Sequence, residues 1–202
     1  MIDSGYDPTD GVILCPDGHY DFVNNKPGIA LDTRDHGTSI ARIISKYAVK
    51  DFCLVIYRVF GDGGIGDAHM VASAVRKAIS DLVNVINLSL SSNGSGFFSD
   101  EEYAALKDAG SQGIQMFVAA GNDSKNLTKM KGSCNVYPAC YVGITGFNVV
   151  GTSEQFRKRA NMGSIITIKE PFCEFERCGT SISTAIATGK YVRRLQNVNY
   201  NR

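Results

Sequence analysis

Ile114-Gln115-Met116-Phe117-Val118-Ala119, continuing into Ala120-Gly121-Asn122, is the stretch that decides the fold. Its apolar residues are nearly continuous rather than alternating. That is the pattern of a strand covered on both faces, as in a parallel sheet. Runs of the same kind lie at residues 52–59 and 83–89 before it, and at 141–144 and 164–168 after it. Between the runs stand helical patterns. Residues 38–48 place Ile40, Ala41, Ile43, Ile44 and Tyr47 on one face. Residues 67–82 form a second helix with Asp67 as N-cap, 100–110 a third that ends at a glycine, and 180–195 a fourth. This alternation predicts an α/β fold, a mostly parallel sheet with helices on both faces. No repeat or linker interrupts it, so residues 1–202 are read as a single domain.

Composition narrows the function. The chain is 44% hydrophobic and 20% charged, with net charge +1, which does not suggest a nucleic-acid surface. Its basic clusters, Arg157-Lys158-Arg159 and residues 190–194, read as a solvated loop and a helix end. No apolar run approaches the roughly 20 residues of a membrane span. The first residues, Met1-Ile2-Asp3-Ser4-Gly5, have no basic region and no apolar stretch, so no secretion signal is expected there. Cys134 with Cys140, and Cys173 with Cys178, are spaced to close small disulfides in an oxidising compartment. Neither pair is a C-x-x-C and no histidine lies nearby, so zinc is not expected. Cys15 and Cys53 read as buried thiols.

Sites in such sheets form beyond the carboxyl ends of the strands. Asp3 follows Met1-Ile2, Asn122 follows the decisive strand, and His36 and Ser181 each open a helix, so all four converge on one edge. Singly, each has a plain structural use: Ser181 as an N-cap, Asp3-Ser4-Gly5 as a turn, Asn122 as a turn, His36 as a helix cap. Together they are a carboxylate, a base, an amide and a nucleophilic hydroxyl, which is equipment for acyl transfer. Cys178 is a poor rival nucleophile, since it precedes the glycine of Gly179-Thr180-Ser181.

The blocks Ile2-Asp3-Ser4-Gly5, His36-Gly37-Thr38, Val118-Ala119-Ala120-Gly121-Asn122 and Gly179-Thr180-Ser181 resemble those of the subtilisin-like serine proteases, in the same order. The segment from Arg58 through Phe60-Gly61-Asp62-Gly63-Gly64-Ile65-Gly66, and Ile86-Asn87-Leu88-Ser89-Leu90-Ser91, resemble that family's two substrate-binding segments. Tyr137-Pro138-Ala139 resembles the tripeptide before a core strand. The resemblance runs from Asp3 to about Gly189. It implies a serine endopeptidase acting on polypeptides, with Ser181 as nucleophile, His36 as base, Asp3 orienting the imidazole and Asn122 as side-chain oxyanion donor. The peptide would lie between Gly63, Gly64, Ile65, Gly66 and Leu88, Ser89, Leu90, Ser91, with Ala119, Ala120 and Gly121 walling the pocket beside the cut. Asp123, near the far end of that pocket, would allow Lys or Arg there. No cofactor is required for the chemistry. Structural calcium is common in the family, but no complete ligand set is matched; Asp7, Asp10 and Asp17 read equally as turn residues. A monomer is expected. The family is usually secreted, and no compartment follows from this chain.

The chain departs from the family pattern in places. Only Met1 and Ile2 precede Asp3, so the first strand is expected to be truncated, and the propeptide absent. Ala185 and Ile186 stand where the family has proline and histidine, and Ser91 where it prefers glycine. The rival readings are a degenerate, non-catalytic relative and a hydrolase of small esters.

Overall fold

The computed structural model describes residues 1–48, 51–64, 66–128, 134–154 and 158–200. In chain order the strands are β1 (Ile2–Asp3), β2 (Tyr20–Asp21), β3 (Lys26–Pro27), β4 (Tyr57–Arg58), β5 (Val85–Leu88), β6 (Ser92–Asn93), β7 (Gln115–Ala119), β8 (Val136–Tyr137), β9 (Phe147–Thr152), β10 (Ile168–Glu170), β11 (Cys173–Glu174) and β12 (Arg177–Cys178). The helices are α1 (His36–Tyr47), α2 (Ala68–Ser80), α3 (Asp100–Ser111) and α4 (Thr180–Tyr200). Eight strands form one sheet in the order β10-β9-β7-β5-β1-β4-β2-β3, parallel except for β3.

The α/β expectation holds. Helices α2 and α3 bury Val71, Val75, Ala105 and Leu106 against Ile2, Leu88, Met116 and Val118 on one face. On the other, α1 and α4 close Ile40, Ile44, Ile182 and Ile186 around Met1 and Ile56. Ala185 and Ile186 are both fully buried, and α4 runs without interruption. Asp67 caps α2 as expected, its side chain accepting from Met70 N.

The short first strand is held well. β1 has only two residues, yet it lies between β4 and β5 at the centre of the sheet. Met1 N donates to Val55 O at 2.7 Å, Tyr57 N to Met1 O at 2.9 Å, and Val59 N to Asp3 O at 2.9 Å.

Other expectations need correcting. The run 141–144 is not a strand; the strand is β9, further on. Tyr141 is drawn instead into a ring cluster with Phe98, Tyr103 and Tyr137, and its hydroxyl bonds Glu102. The run 52–59 pairs as a strand only at Tyr57–Arg58, because Leu54 bonds the segment around Ile13 and Cys15. The run 164–168 enters the sheet only at Ile168. Cys15 and Cys53 are not thiols but a disulfide. Cys15 N bonds Leu54 O at 3.0 Å and Leu54 N bonds Ile13 O at 3.1 Å, which brings the two cysteines' Cα atoms to 4.8 Å. Cys134–Cys140 and Cys173–Cys178 are bonded as expected.

Candidate active site

Asp3 ends β1 and is completely buried. A buried carboxylate must be matched by donors. Asp3 Oδ1 accepts from Ser4 N at 2.8 Å and lies 2.7 Å from His36 Nδ1. The carboxylate raises the imidazole's pKa above its usual value, against burial, which lowers it. The His36 side chain keeps 37% of its surface exposed, so the ring is still open to a reactant.

The start of α1 explains this contact. Its first backbone N–H groups have no partner within the helix. Ser4 Oγ accepts from Gly37 N at 2.9 Å, and Asp32 Oδ2 accepts from Thr38 N and Thr38 Oγ1, each at 2.8 Å. Ser4 Oγ in turn donates to Asp32 Oδ1 at 2.9 Å. Burial would raise the Asp32 pKa, but these donors and Arg34 N outweigh it and the net shift is downward. Position 37 must be glycine for α1 to start here: a Cβ would come within 2.3 Å of Gly5 O.

Ser181 is the second residue of α4. Its hydroxyl donates to Ser89 O at 3.0 Å, while Ser89 Oγ donates to Ser181 O at 2.9 Å. The hydroxyl is thus bonded to the end of β5 rather than to His36. Asn122, exposed beyond β7, accepts through Oδ1 from Thr180 N at 2.9 Å, which leaves its amide hydrogens for another group. Thr180 Oγ1 accepts from Gly121 N at 3.0 Å, so two bonds fasten this loop to the start of α4.

A residue with no sequence signal organises the same loop. Asn161, fully buried, accepts at Oδ1 from Asp123 N at 2.9 Å and Lys125 N at 2.8 Å, and donates through Nδ2 to Ala120 O at 2.8 Å. Gly121 has φ of +93°, and a Cβ there would meet Asn161 Nδ2 at 2.6 Å. Thr180 and Asp32 could have been found: one belongs to the Gly-Thr-Ser block, the other is a carboxylate just upstream of a helix start. Asp123 is exposed and leans on Asn161 Nδ2 at 3.4 Å.

Of the two segments expected to flank a peptide, Gly63, Gly64 and Gly66 are at least partly exposed, and Ile65 lies outside the described residues. Arg58, itself buried, braces that rim by donating to Phe60 O at 3.0 Å and to Asp62 Oδ1 at 2.9 Å. Leu88, Ser89 and Leu90 are buried and Ser91 is exposed; Ala119, Ala120 and Gly121 are buried. A cavity of about 260 Å³ opens between Gly66 and Leu90–Ser91. Among the described residues no group of three or more His, Cys, Asp or Glu is arranged to hold a metal. Asp7 accepts from Thr9 N at 2.9 Å within its own turn, whereas Asp10 reaches across to pair with Arg42 of α1. No helix of the described residues is long and apolar enough to cross a membrane.

Residues 13–170 match the model of the subtilase family. The chain is 33% identical over 123 residues to the minor extracellular protease Vpr of Bacillus subtilis, covering 53% of this chain and 15% of that protein. It is 28% identical over 204 residues to subtilisin NAT of Bacillus subtilis subsp. natto, covering 95% of this chain and 49% of that protein. The chain therefore spans half or less of the length of these relatives. Among solved structures, a lanthipeptide protease superposes with a TM-score of 0.83 at 21% identity, covering 100% of this chain and 73% of that one. A cold-adapted subtilisin-like serine proteinase gives 0.79 at 24% identity, covering 98% and 74%.

Proposed function

The chain belongs to the subtilase family, and we propose that it is a serine endopeptidase in which Ser181, His36, Asp3 and Asn122 carry the reaction. The observation that carries this reading is the 2.7 Å contact between His36 Nδ1 and a fully buried Asp3. It fixes the tautomer with the proton on Nδ1 and leaves Nε2 as the base. Ser181 Oγ first leaves Ser89 O by rotation about χ1; apo sites often hold the nucleophile away from its base. The oxygen then attacks the scissile carbonyl carbon as His36 takes the proton. The peptide C–N bond breaks, the leaving amine receives that proton, and water later hydrolyses the ester by the reverse proton path. The Asn122 amide and the Ser181 N–H, at the start of a helix, stabilise the oxyanion.

The substrate is an extended polypeptide, added as a strand between Gly63–Gly66 and Leu88–Ser91. The open rim of glycines fits an extended chain better than a small ester. The protein works as a monomer, without a cofactor for its chemistry.

The experiment is labelling of the purified chain by a fluorophosphonate, with Ser181→Ala beside it. Labelling of the parent and none of the variant is expected. A folded chain that stays unlabelled would favour a subtilase that binds peptides without cleaving them.

A further inference from the structure

One buried carboxylate has no part in the proposed chemistry. Glu102 lies in the first turn of α3 and is 4% exposed. The helix start does not need it, because Ser99 Oγ already accepts from Glu102 N. Its Oε2 accepts from the Tyr141 hydroxyl at 2.8 Å, and among the described residues Oε1 has no hydrogen-bond partner. Burial pushes this carboxyl up to about 7, with Tyr141 pulling weakly the other way.

Glu102 lines the cavity of about 260 Å³ between Gly66 and Leu90–Ser91. Phe60, Phe97, Phe98 and Tyr137 form aromatic walls, and the exposed Asp67 stands at the rim. Phe98 is fixed edge-on to Tyr137 and Tyr141, with ring centres 5.6 and 5.5 Å apart. Among the described residues no Lys, Arg or His is in the lining. Two carboxylates among aromatic rings, with no basic group, suit a cation. Of the other charges nearby among the described residues, His69 and Arg76 of α2 pair with Glu101, on the exposed side of the two helices, and Lys125 is held by Asn93 Oδ1 and, at 2.8 Å, by Asn135 Oδ1. Tyr141, pushed up by burial, stays neutral.

The cavity adjoins both segments proposed to flank the peptide. Ser91 is two residues past Ser89, whose carbonyl holds the Ser181 hydroxyl. At about 3.3 Å per residue, the cavity lies roughly 7–10 Å along the strand from that hydroxyl.

We infer that this cavity is a cation-selective subsite, in which Glu102 and the aromatic walls receive a Lys or Arg side chain two or three residues from the cleaved bond. The inference rests on the peptidase reading. An entering ammonium supplies the missing partner of Glu102 and favours its ionised form. Selection therefore strengthens as pH rises through about 7 and fades below it, where Glu102 takes a proton.

The test uses quenched peptides carrying one Lys, or norleucine in its place, at each position from four before the cut to three after it. kcat/KM is measured at pH 6 and pH 8.5 for the parent, Glu102→Gln and Glu102→Leu, with fluorophosphonate labelling to check each fold. At one position two or three residues from the cut, the parent should prefer Lys by about tenfold at pH 8.5, the scale of one hydrogen bond to a charged group. The preference should shrink at pH 6, approach parity in Glu102→Gln and reverse in Glu102→Leu. An unchanged preference in either folded variant, or no preference in the parent, would overturn the subsite. If nothing is cleaved, the same peptides are titrated against Ser181→Ala by fluorescence anisotropy. A Lys preference there upholds the subsite while the peptidase reading falls; none sinks both.

Discussion

The starts of α1 and α4 carry the two halves of the proposed site but are held by different chemistry. At α1, charge does most of the holding: Asp3 and Asp32 gather Ser4, Thr38 and His36, and Ser4 in turn takes Gly37 N. At α4, neutral groups do it: Thr180, Asn122, Asn161 and Ser89 exchange amide and hydroxyl bonds. The lesson is that one side of the site should answer to pH and the other only to shape. A base needs a tunable proton affinity. An oxyanion donor needs only a fixed position.

The strongest way to break this contrast is to neutralise the charged side. Asp3→Asn should lower kcat by about 10⁴-fold through loss of the tautomer, and move the acid limb of the pH–rate profile down. The sign follows from His36: the base must be neutral, activity falls as pH drops through its pKa, and Asp3 holds that pKa high. An acid limb that does not move in Asp3→Asn would refute the electrostatic account. On the neutral side, Asn122→Ala should cost about 10²–10³-fold in kcat with little change in KM and no displacement of the limb.

Asn161→Ala sharpens the comparison within the neutral side. It strips partners from Asp123 N and Lys125 N, so a loss of roughly 1–3 kcal/mol in denaturant unfolding is expected, together with lower kcat at every pH. Asp32→Asn is the milder probe of the charged side. It should shift the acid limb down by less than Asp3→Asn does, because Asp32 acts on His36 only through space.

A third helix start, that of α3, gives the smallest effect. Unlike Asp32, Glu102 has one donor, and its carboxyl is raised rather than lowered. From about pH 4.5 to about 7 the folded chain holds a proton that the unfolded chain has released, so this group costs stability as pH rises. Glu102→Gln should therefore gain about 1–2 kcal/mol at pH 8 and almost nothing at pH 4, read as a difference in Tm between the two pH values.

The alternation of strands and helices was legible because buried parallel strands and amphipathic helices leave periodic traces. His36, Asn122 and Ser181 were legible because their neighbours are constrained as strictly as they are: glycine at 37 and 121 is required by contacts of 2.3 and 2.6 Å. What escaped was decided by distant packing. Nothing near Asn161 foretells that it serves residues 120–125, some 40 positions away. Glu102 looks like one more acid at a helix start, yet it is 4% exposed and bonded to Tyr141. The pairing of Cys15 with Cys53 depends on a bridge between Leu14 and Leu54 that neither segment announces. Residues 141–144 carry the composition of a strand and lose the contest to a tyrosine cluster.

The bond from Ser181 Oγ to Ser89 O has a further consequence. A peptide laid along Ser89–Ser91 as a strand needs main-chain acceptors on that segment, and Ser89 O is the acceptor nearest the reacting hydroxyl. On the proposed mechanism, the resting Ser181 hydroxyl and the arriving amide then compete for a single oxygen. Docking of the correct backbone would evict the hydroxyl and deliver it to His36, whereas a small ester or phosphonate, with no amide to offer, would react only while the hydroxyl rotates free, and so more slowly. The idle enzyme would carry its own safety catch, released by the chain it is about to cut.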